Sequence, residues 1–391
     1  MKPVLVLNPG STSFKFKLFR LDNGEEVRAW GVCERVGQAE GTYRITVRDQ
    51  TVSGQRRFES CLDAFSFSVS VLEETGCIAS LADIGAAAFK AVHGGEISGT
   101  CRVDERVLAA LETCSSLAPA HNPVYLSLMK ALREHYPDLL LVARFETAFH
   151  QSIPEYRRLY GIPYEWAAGY GLKRYGFHGS SHEYITWRMT QLDPGSKRIV
   201  SMHLGGSSSI CAILDGRSIA ASMGATPQSG VFHNNRVGDF DPFCLPYLME
   251  RTHRSLEEIL KALSTQSGFL GLSGISSDLR DIEKACEAGD RRAELTIQAF
   301  ADSVAGYVGQ YAVYLEGIDA LVFTGGIGCN SRLIRAQICQ RLAHMGIVIG
   351  DDTDTDHDRD ISRPESRIRV WVVQTDEERI IARYTRPWLE A

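Results

Sequence analysis

Three short stretches of this chain are built from glycine, asparagine and small hydroxyl residues: Asn8 to Ser13 (NPGSTS), His203 to Ser209 (HLGGSSS) and Gly325 to Ser331 (GGIGCNS). Such residues let backbone N–H groups and hydroxyls approach an anion closely. Any one of them alone reads equally well as a structural turn. Elsewhere lie groups with complementary chemistry: the carboxylates Glu146 and Glu377, and the cations or donors Lys15, Lys90, His178 and Arg236. Phosphoryl transfer asks for this combination: backbone cradles for a nucleotide, carboxylates for Mg²⁺, and positive groups on the moving phosphoryl group. Competing chemistries lack their signatures. There is no G-x-x-x-x-G-K-[ST], no clean G-x-G-x-x-G and no G-x-S-x-G. His178 and His182 are spaced as a zinc pair on a helix, but no Cys or Glu-His partner accompanies them. A histidine bonded to a backbone carbonyl, or a donor to phosphate, remains the alternative.

The elements that must hold these groups can be read from periodicity. Val4 to Gly24 gives an apolar strand, a small-residue turn, a strand in which Phe14, Phe16 and Leu18 alternate with Lys15 and Lys17, and a hairpin turn at Asp22-Asn23-Gly24. Arg198 to Gly216 repeats that order, with Gly10 matching Gly205 and Ser13 matching Ser208. This self-similarity marks a duplicated domain. At 320–331 an apolar strand feeds a glycine turn, and Asn330 and Ser331 open a helix. Helical spacing covers Val103–Ser115, Asn122–Glu134, Ser181–Gln191, Ser255–Thr265, Leu279–Ala288 and Arg292–Leu315. Strands alternating with helices predict an α/β protein. The acidic run 351–360 (DDTDTDHDRD) lacks the glycine and terminal Glu of a calcium loop and reads as a solvated loop.

The 391 residues allow two or three domains, and a net charge of −6 argues against a general nucleic-acid binder. The chain runs straight into its first strand without a signal peptide, and no apolar run reaches membrane-spanning length. Ten scattered cysteines without a C-x-x-C pair read as reduced cytoplasmic thiols.

Over nearly its full length the sequence resembles the acetate kinase family. The resemblance rests on LNPGSTSFK, VHGGE, HNP, TAFHQSIPEY, RYGFHGSSH, HLGG, SMGATP, RVGDFDP, SGISSDLRD and FTGGIG, in that order. It implies a duplicated two-domain, actin-like or sugar-kinase-like fold with a nucleotide cleft. Residues 1–149, completed by a C-terminal helix 377–391, would form one domain and 150–376 the other. It implies ATP-dependent, Mg²⁺-dependent phosphorylation of a small carboxylic acid to an acyl phosphate, in a cytoplasmic homodimer. Residue by residue, it assigns Asn8 and Glu377 to the metal and Lys15 to the nucleotide. His203, Leu204, Gly205, Gly206 and Ser207 would cradle phosphates. Asp278, Leu279 and Arg280 would hold the ribose and adenine side. Gly326, Ile327, Gly328, Cys329 and Asn330 would form an adenosine loop. His178 and Arg236 would stabilise the transferring group, with Glu146 as a further catalytic carboxylate. Lys90 and His121 would meet the acceptor, and Val92, Ala120, Phe177 and Pro227 would line the acyl pocket.

The departures from the family pattern are specific. Lys90 replaces an arginine, Glu146 an aspartate, and Ala120 a leucine. The family's H-L-G-N-G is His203-Leu204-Gly205-Gly206-Ser207 here, and its M-G-T-R is His233-Asn234-Asn235-Arg236. The opening NPGSTS is closer to the butyrate kinases. These changes predict an acceptor that is not simply acetate: propionate, butyrate, or a larger or polar acid used at least as well as acetate. A non-catalytic nucleotide-binding paralogue is the alternative from another class, and a sugar kinase on the same fold is a third.

Overall fold

The computed structural model describes residues 1–22, 24–353 and 358–390. Asn23 of the first hairpin turn, 354–357 of the acidic run and the final residue of the expected C-terminal helix lie outside the described residues. The chain divides into two compact units, Met1–Ala148 with Asp376–Ala391, and Phe149–Thr375.

The first unit is built on eight strands: β1 Val4–Pro9, β2 Ser13–Arg20, β3 Glu26–Glu34, β4 Thr42–Val47, β5 Gln50–Gln55, β6 Ala86–Ala91, β7 Thr100–Arg102 and β8 Leu141–Phe145. Their spatial order is β5-β4-β3-β2-β1-β6-β8-β7. β1 to β5 form an antiparallel meander, whereas β1, β6 and β8 run parallel. β1 is central, which is why its run Val4 to Leu7 is apolar without alternation and at most 1% exposed. β2 alternates because one of its faces meets the core, where Phe14, Phe16 and Leu18 are buried, while Lys15 is exposed. The helix Glu377–Thr385 returns to this unit, and its Ile381 and Ala382 pack with Val4, Val6, Phe19 and Ala88.

The second unit holds β9 Arg198–His203, β10 Ser209–Leu214, β11 Arg217–Ala221, β12 Ala320–Thr324, β13 Arg359–Asp360 and β14 Arg369–Val372, ordered β11-β10-β9-β12-β14-β13. Its strands β10-β9-β12-β14 repeat the senses of β2-β1-β6-β8: one antiparallel hairpin, then two parallel neighbours. The duplication read from the two glycine-serine hairpins is therefore a duplication of sheet topology. The long helix Arg291–Tyr314 packs Ile297, Phe300, Val304 and Val308 onto this sheet.

Local signals explain the helix limits. Ser255 and Glu258 form a capping box at Leu256–Thr265. Asp278 and Asp290 cap Leu279–Glu287 and Arg291–Tyr314. The acidic run corrects its solvated reading: Asp352 is buried at 8% exposure between Arg335 and Arg359, and Asp358 pairs with Arg188. The buried Arg335 needs a counter-charge, and this segment supplies it. Among the described residues, no helix is long and apolar enough to cross a membrane.

Candidate functional site

In the second unit the two glycine stretches meet through their backbones. Ile327 N and Gly328 N donate to Leu204 O at 2.8 and 3.0 Å, and Leu204 N donates to Thr324 O at 2.8 Å. Gly325 has φ +77°, and a Cβ there would stand 2.6 Å from Leu204 O, so only glycine allows this approach. The turn expected at 325–328 is in fact a short helix, Gly325–Asn330, because those N–H groups fold over Leu204. Ser331 then caps the next helix, Arg332–Arg341.

Between these backbones opens a cavity of about 580 Å³, lined by Gly205, Gly206, Asp278, Leu279, Arg280, Gly326, Ile327 and Asn330 of the predicted nucleotide residues. Leu204, Gly328 and Cys329 do not line it. Their side-chain positions face the core, with Leu204 fully buried and Cys329 6% exposed, so they act through the backbone alone. His203 and Ser207 also lie off the lining, and Lys15 belongs to the first unit. Asn234, Ser277 and Glu283 line the cavity but were given no nucleotide role from sequence, and Ser331, the last residue of the third glycine stretch, lines it as well. The first of these sits two residues before Arg236, which was the available signal. Asp278 accepts from Arg280, and this hydrogen bond holds its carboxyl down to about 2.

The histidines of the same unit form a polar chain. His178 caps Gly179–Leu192 with φ +55°, a conformation rare outside glycine and common where function fixes a side chain. Its Nδ1 meets Ser209 Oγ at 2.8 Å, and its ring stacks 4.3 Å from that of His203. His182 Nε2 meets the same Ser209 Oγ at 2.8 Å. The His178/His182 pair is thus bridged by a hydroxyl, and among the described residues no group of three or more His, Cys, Asp or Glu could hold a metal ion. Burial pushes the His182 pKa well below its ordinary value and lowers that of His150 to about 4.

Arg236 Nη1 donates to Pro227 O at 2.6 Å. Burial lowers its pKa to about 10, which leaves it charged at neutral pH, and it forms no ion pair among the described residues. A guanidinium held this way has N–H groups to donate to an anion.

The first unit gathers a second group. Lys90, on β6, pairs with Glu377, the first residue of its helix; the two side chains are 16% and 12% exposed. Burial opposes the Lys90 charge, but Glu377, then Glu146 and Tyr125, outweigh it and raise the pKa. Tyr125, missed from sequence, donates from its hydroxyl to Asn8 Oδ1 at 2.8 Å. The buried Asn122 donates to His93 O at 2.8 Å and to Leu111 O at 3.0 Å, which fixes His121 at the start of Asn122–His135. Of the expected acyl-pocket residues, Val92, Phe177 and Pro227 are buried and Ala120 is exposed. Asn8, Glu146 and Glu377 offer oxygen donors only. That set suits Mg²⁺, which takes one or two carboxylates and completes its shell with waters and phosphate oxygens. The Lys90 ammonium on Glu377 shows that a positive charge is favoured there.

The acetokinase family matches residues 3–383. The chain belongs to the acetokinase family. The acetate kinase of Anoxybacillus flavithermus is 41% identical over 389 residues, 98% of each chain. The solved acetate kinase of Porphyromonas gingivalis is 37% identical, with a TM-score of 0.88 and full coverage of both chains. The propionate kinase of Francisella tularensis is 33% identical, with a TM-score of 0.91 over 98% of this chain and 99% of its own. The fold of this acetokinase family member is therefore the duplicated two-domain fold of those enzymes.

Proposed function

We propose that this protein transfers the γ-phosphoryl group of ATP directly and reversibly to a small carboxylic acid, giving an acyl phosphate. The observation that carries this reading is Arg236: a charged, partly buried guanidinium with no carboxylate partner among the described residues, in an acetokinase family chain. Phosphoryl transfer relies on such positioned charge and needs little covalent chemistry from the protein.

The glycine-lined cavity would take the nucleotide, its backbone N–H groups meeting phosphates and Asp278 and Arg280 meeting the ribose and base. Arg236 and His178 would stabilise the phosphoryl group in flight. His178 is held for this by Ser209, which fixes its ring. Asn8 and Glu377 would hold Mg²⁺, with Glu146 reaching it through water; the cation would neutralise phosphate oxygens. Lys90 and His121 would receive the acceptor carboxylate. An ammonium is a point charge and lacks the two parallel N–H groups of an arginine, so Lys90 orients a carboxylate less strictly. Ala120 is exposed and carries a shorter side chain than a leucine. Both features favour an acid longer than acetate.

The test is acyl hydroxamate formation from Mg-ATP, hydroxylamine and a series of short acids. Product with propionate or butyrate at least equal to that with acetate is the expected result. No product with any acid, alongside measurable nucleotide binding, would favour the non-catalytic alternative. We also propose a homodimer, because Tyr156, Tyr164, Trp166 and Tyr170 are 54–76% exposed within one short segment. Light scattering at assay concentration checks it.

A further inference from the structure

The nucleotide cavity contains an exchange of side chains across two strands of chain. Gly206 lies in the glycine loop after β9 and lines the cavity. Where its Cβ would be, the nearest atom is the side-chain Nδ2 of Asn234, 3.5 Å away, followed by Asn234 Cγ at 3.8 Å. Asn234 lines the same cavity. The space above Gly206 is therefore held by a carboxamide that arrives from residue 234. In the sequence pattern that this chain resembles, the two types stand the other way round: asparagine at the Gly206 position, glycine at the Asn234 position.

The backbone around Asn234 is fixed at every step. Asn234 N donates to Gly206 O at 3.2 Å, and Leu270 N donates to Asn234 O at 2.9 Å. On its two sides, Phe269 N donates to His233 O at 2.9 Å and Ser267 N to Asn235 O at 3.1 Å. The His233 ring accepts from Ser208 N at 2.9 Å, tying the segment to the glycine loop itself. Gly268, at φ +59°, makes this possible, since a Cβ there would lie 2.0 Å from His233 O. Yet the Asn234 carboxamide makes no hydrogen bond among the described residues. A rigid backbone thus holds out a polar side chain whose donors have no protein partner.

We propose that Asn234 is a phosphate-binding residue of this site, supplying from residue 234 the carboxamide that the glycine loop lacks at Gly206. Its NH₂ group would donate to an oxygen of the nucleotide's phosphate chain, next to the loop N–H groups. The proposal rests on the cavity being the nucleotide site, so that reading is tested in the same experiment by ADP binding to the parent protein.

The experiment is calorimetric titration with ADP of the parent, Asn234→Ala, Asn234→Gly and the exchange variant Gly206→Asn/Asn234→Gly. Thermal melting verifies that each is folded. A hydrogen bond to a charged oxygen predicts about tenfold or greater weakening in Asn234→Ala and in Asn234→Gly. The exchange variant should recover most of that loss, because its asparagine enters the same space from the other side. Gly206 has no left-handed φ, so the new side chain meets no backbone strain. Gly206→Asn alone should weaken binding, since two carboxamides would compete for one space. Parent-like ADP affinity in Asn234→Ala would overturn the proposal, as would an exchange variant that binds no better than Asn234→Gly. A parent that binds no ADP would instead overturn the nucleotide assignment of the cavity.

Discussion

Arg236 offers a way to separate stability from activity. Its folded pKa of about 10 lies below the ordinary 12.5 because burial penalises the charge. At about 1.36 kcal/mol per tenfold, the difference corresponds to an upper bound of about 3 kcal/mol. The sign follows from the cation. Its pKa is lower in the folded state, so the penalty is complete below about pH 10 and fades only as pH rises from there through 12.5. At neutral pH the penalty is present in full. Arg236→Met keeps much of the side-chain length and removes the charge, at the loss of the hydrogen bond to Pro227 O, which is worth about 1 kcal/mol. Ligand-free stability should therefore rise by about 1–2 kcal/mol, roughly 1–3 °C in melting temperature for a chain of this size. Turnover should fall by about a hundredfold or more, because the charge is then missing from the transition state. Scanning calorimetry without ligands and the hydroxamate assay read the two effects. A ligand-free melting point at or below the parent's would refute the burial argument. Turnover near the parent's would remove Arg236 from the reaction.

Three further outcomes are expected. Glu377→Gln should raise the Mg²⁺ concentration for half-maximal activity by about tenfold or more, read by magnesium titration, since it removes a charged oxygen ligand. Ala120→Leu should turn the acid preference toward acetate, with specificity constants for each added methylene dropping about fourfold relative to the parent, the equivalent of about 0.8 kcal/mol. Asp352→Asn removes the counter-charge of the buried Arg335, and chemical denaturation should show a loss of about 3 kcal/mol.

The topology was legible because its signals are local and repeated. The alternation of Phe14, Phe16 and Leu18 and the twin glycine-serine turns each act over a few residues, and the helices expected from spacing begin at caps that the structure shows, Ser255, Asp278 and Asp290. The candidate site was legible only where one stretch carries its own pattern, as with Gly205, Gly206 and Gly326, which lie on the cavity wall. What escaped were partnerships between distant residues. Nothing near Lys90 announces a partner 287 positions away, and nothing near Tyr125 announces Asn8. Facing was also hidden: Gly328 and Cys329 share a motif with Gly326 but turn inward once the stretch coils into a helix. The acidic run misled for the same reason, since its charge count gave no hint of Arg335 and Arg359 beneath it.

The return of the last helix to the first unit sets a schedule for the chain's birth. On a ribosome, β1 to β8 emerge early, but Ile381 and Ala382, which pack on Val4, Val6 and Ala88, are made only after the whole of 149–375. The nascent first unit must wait with that apolar face uncovered while the second is synthesised. Glu377 arrives in the same final stretch, so Lys90 gains its partner at the moment the core closes. A chain halted before Asp376 would lack both the hydrophobic seal and the carboxylate.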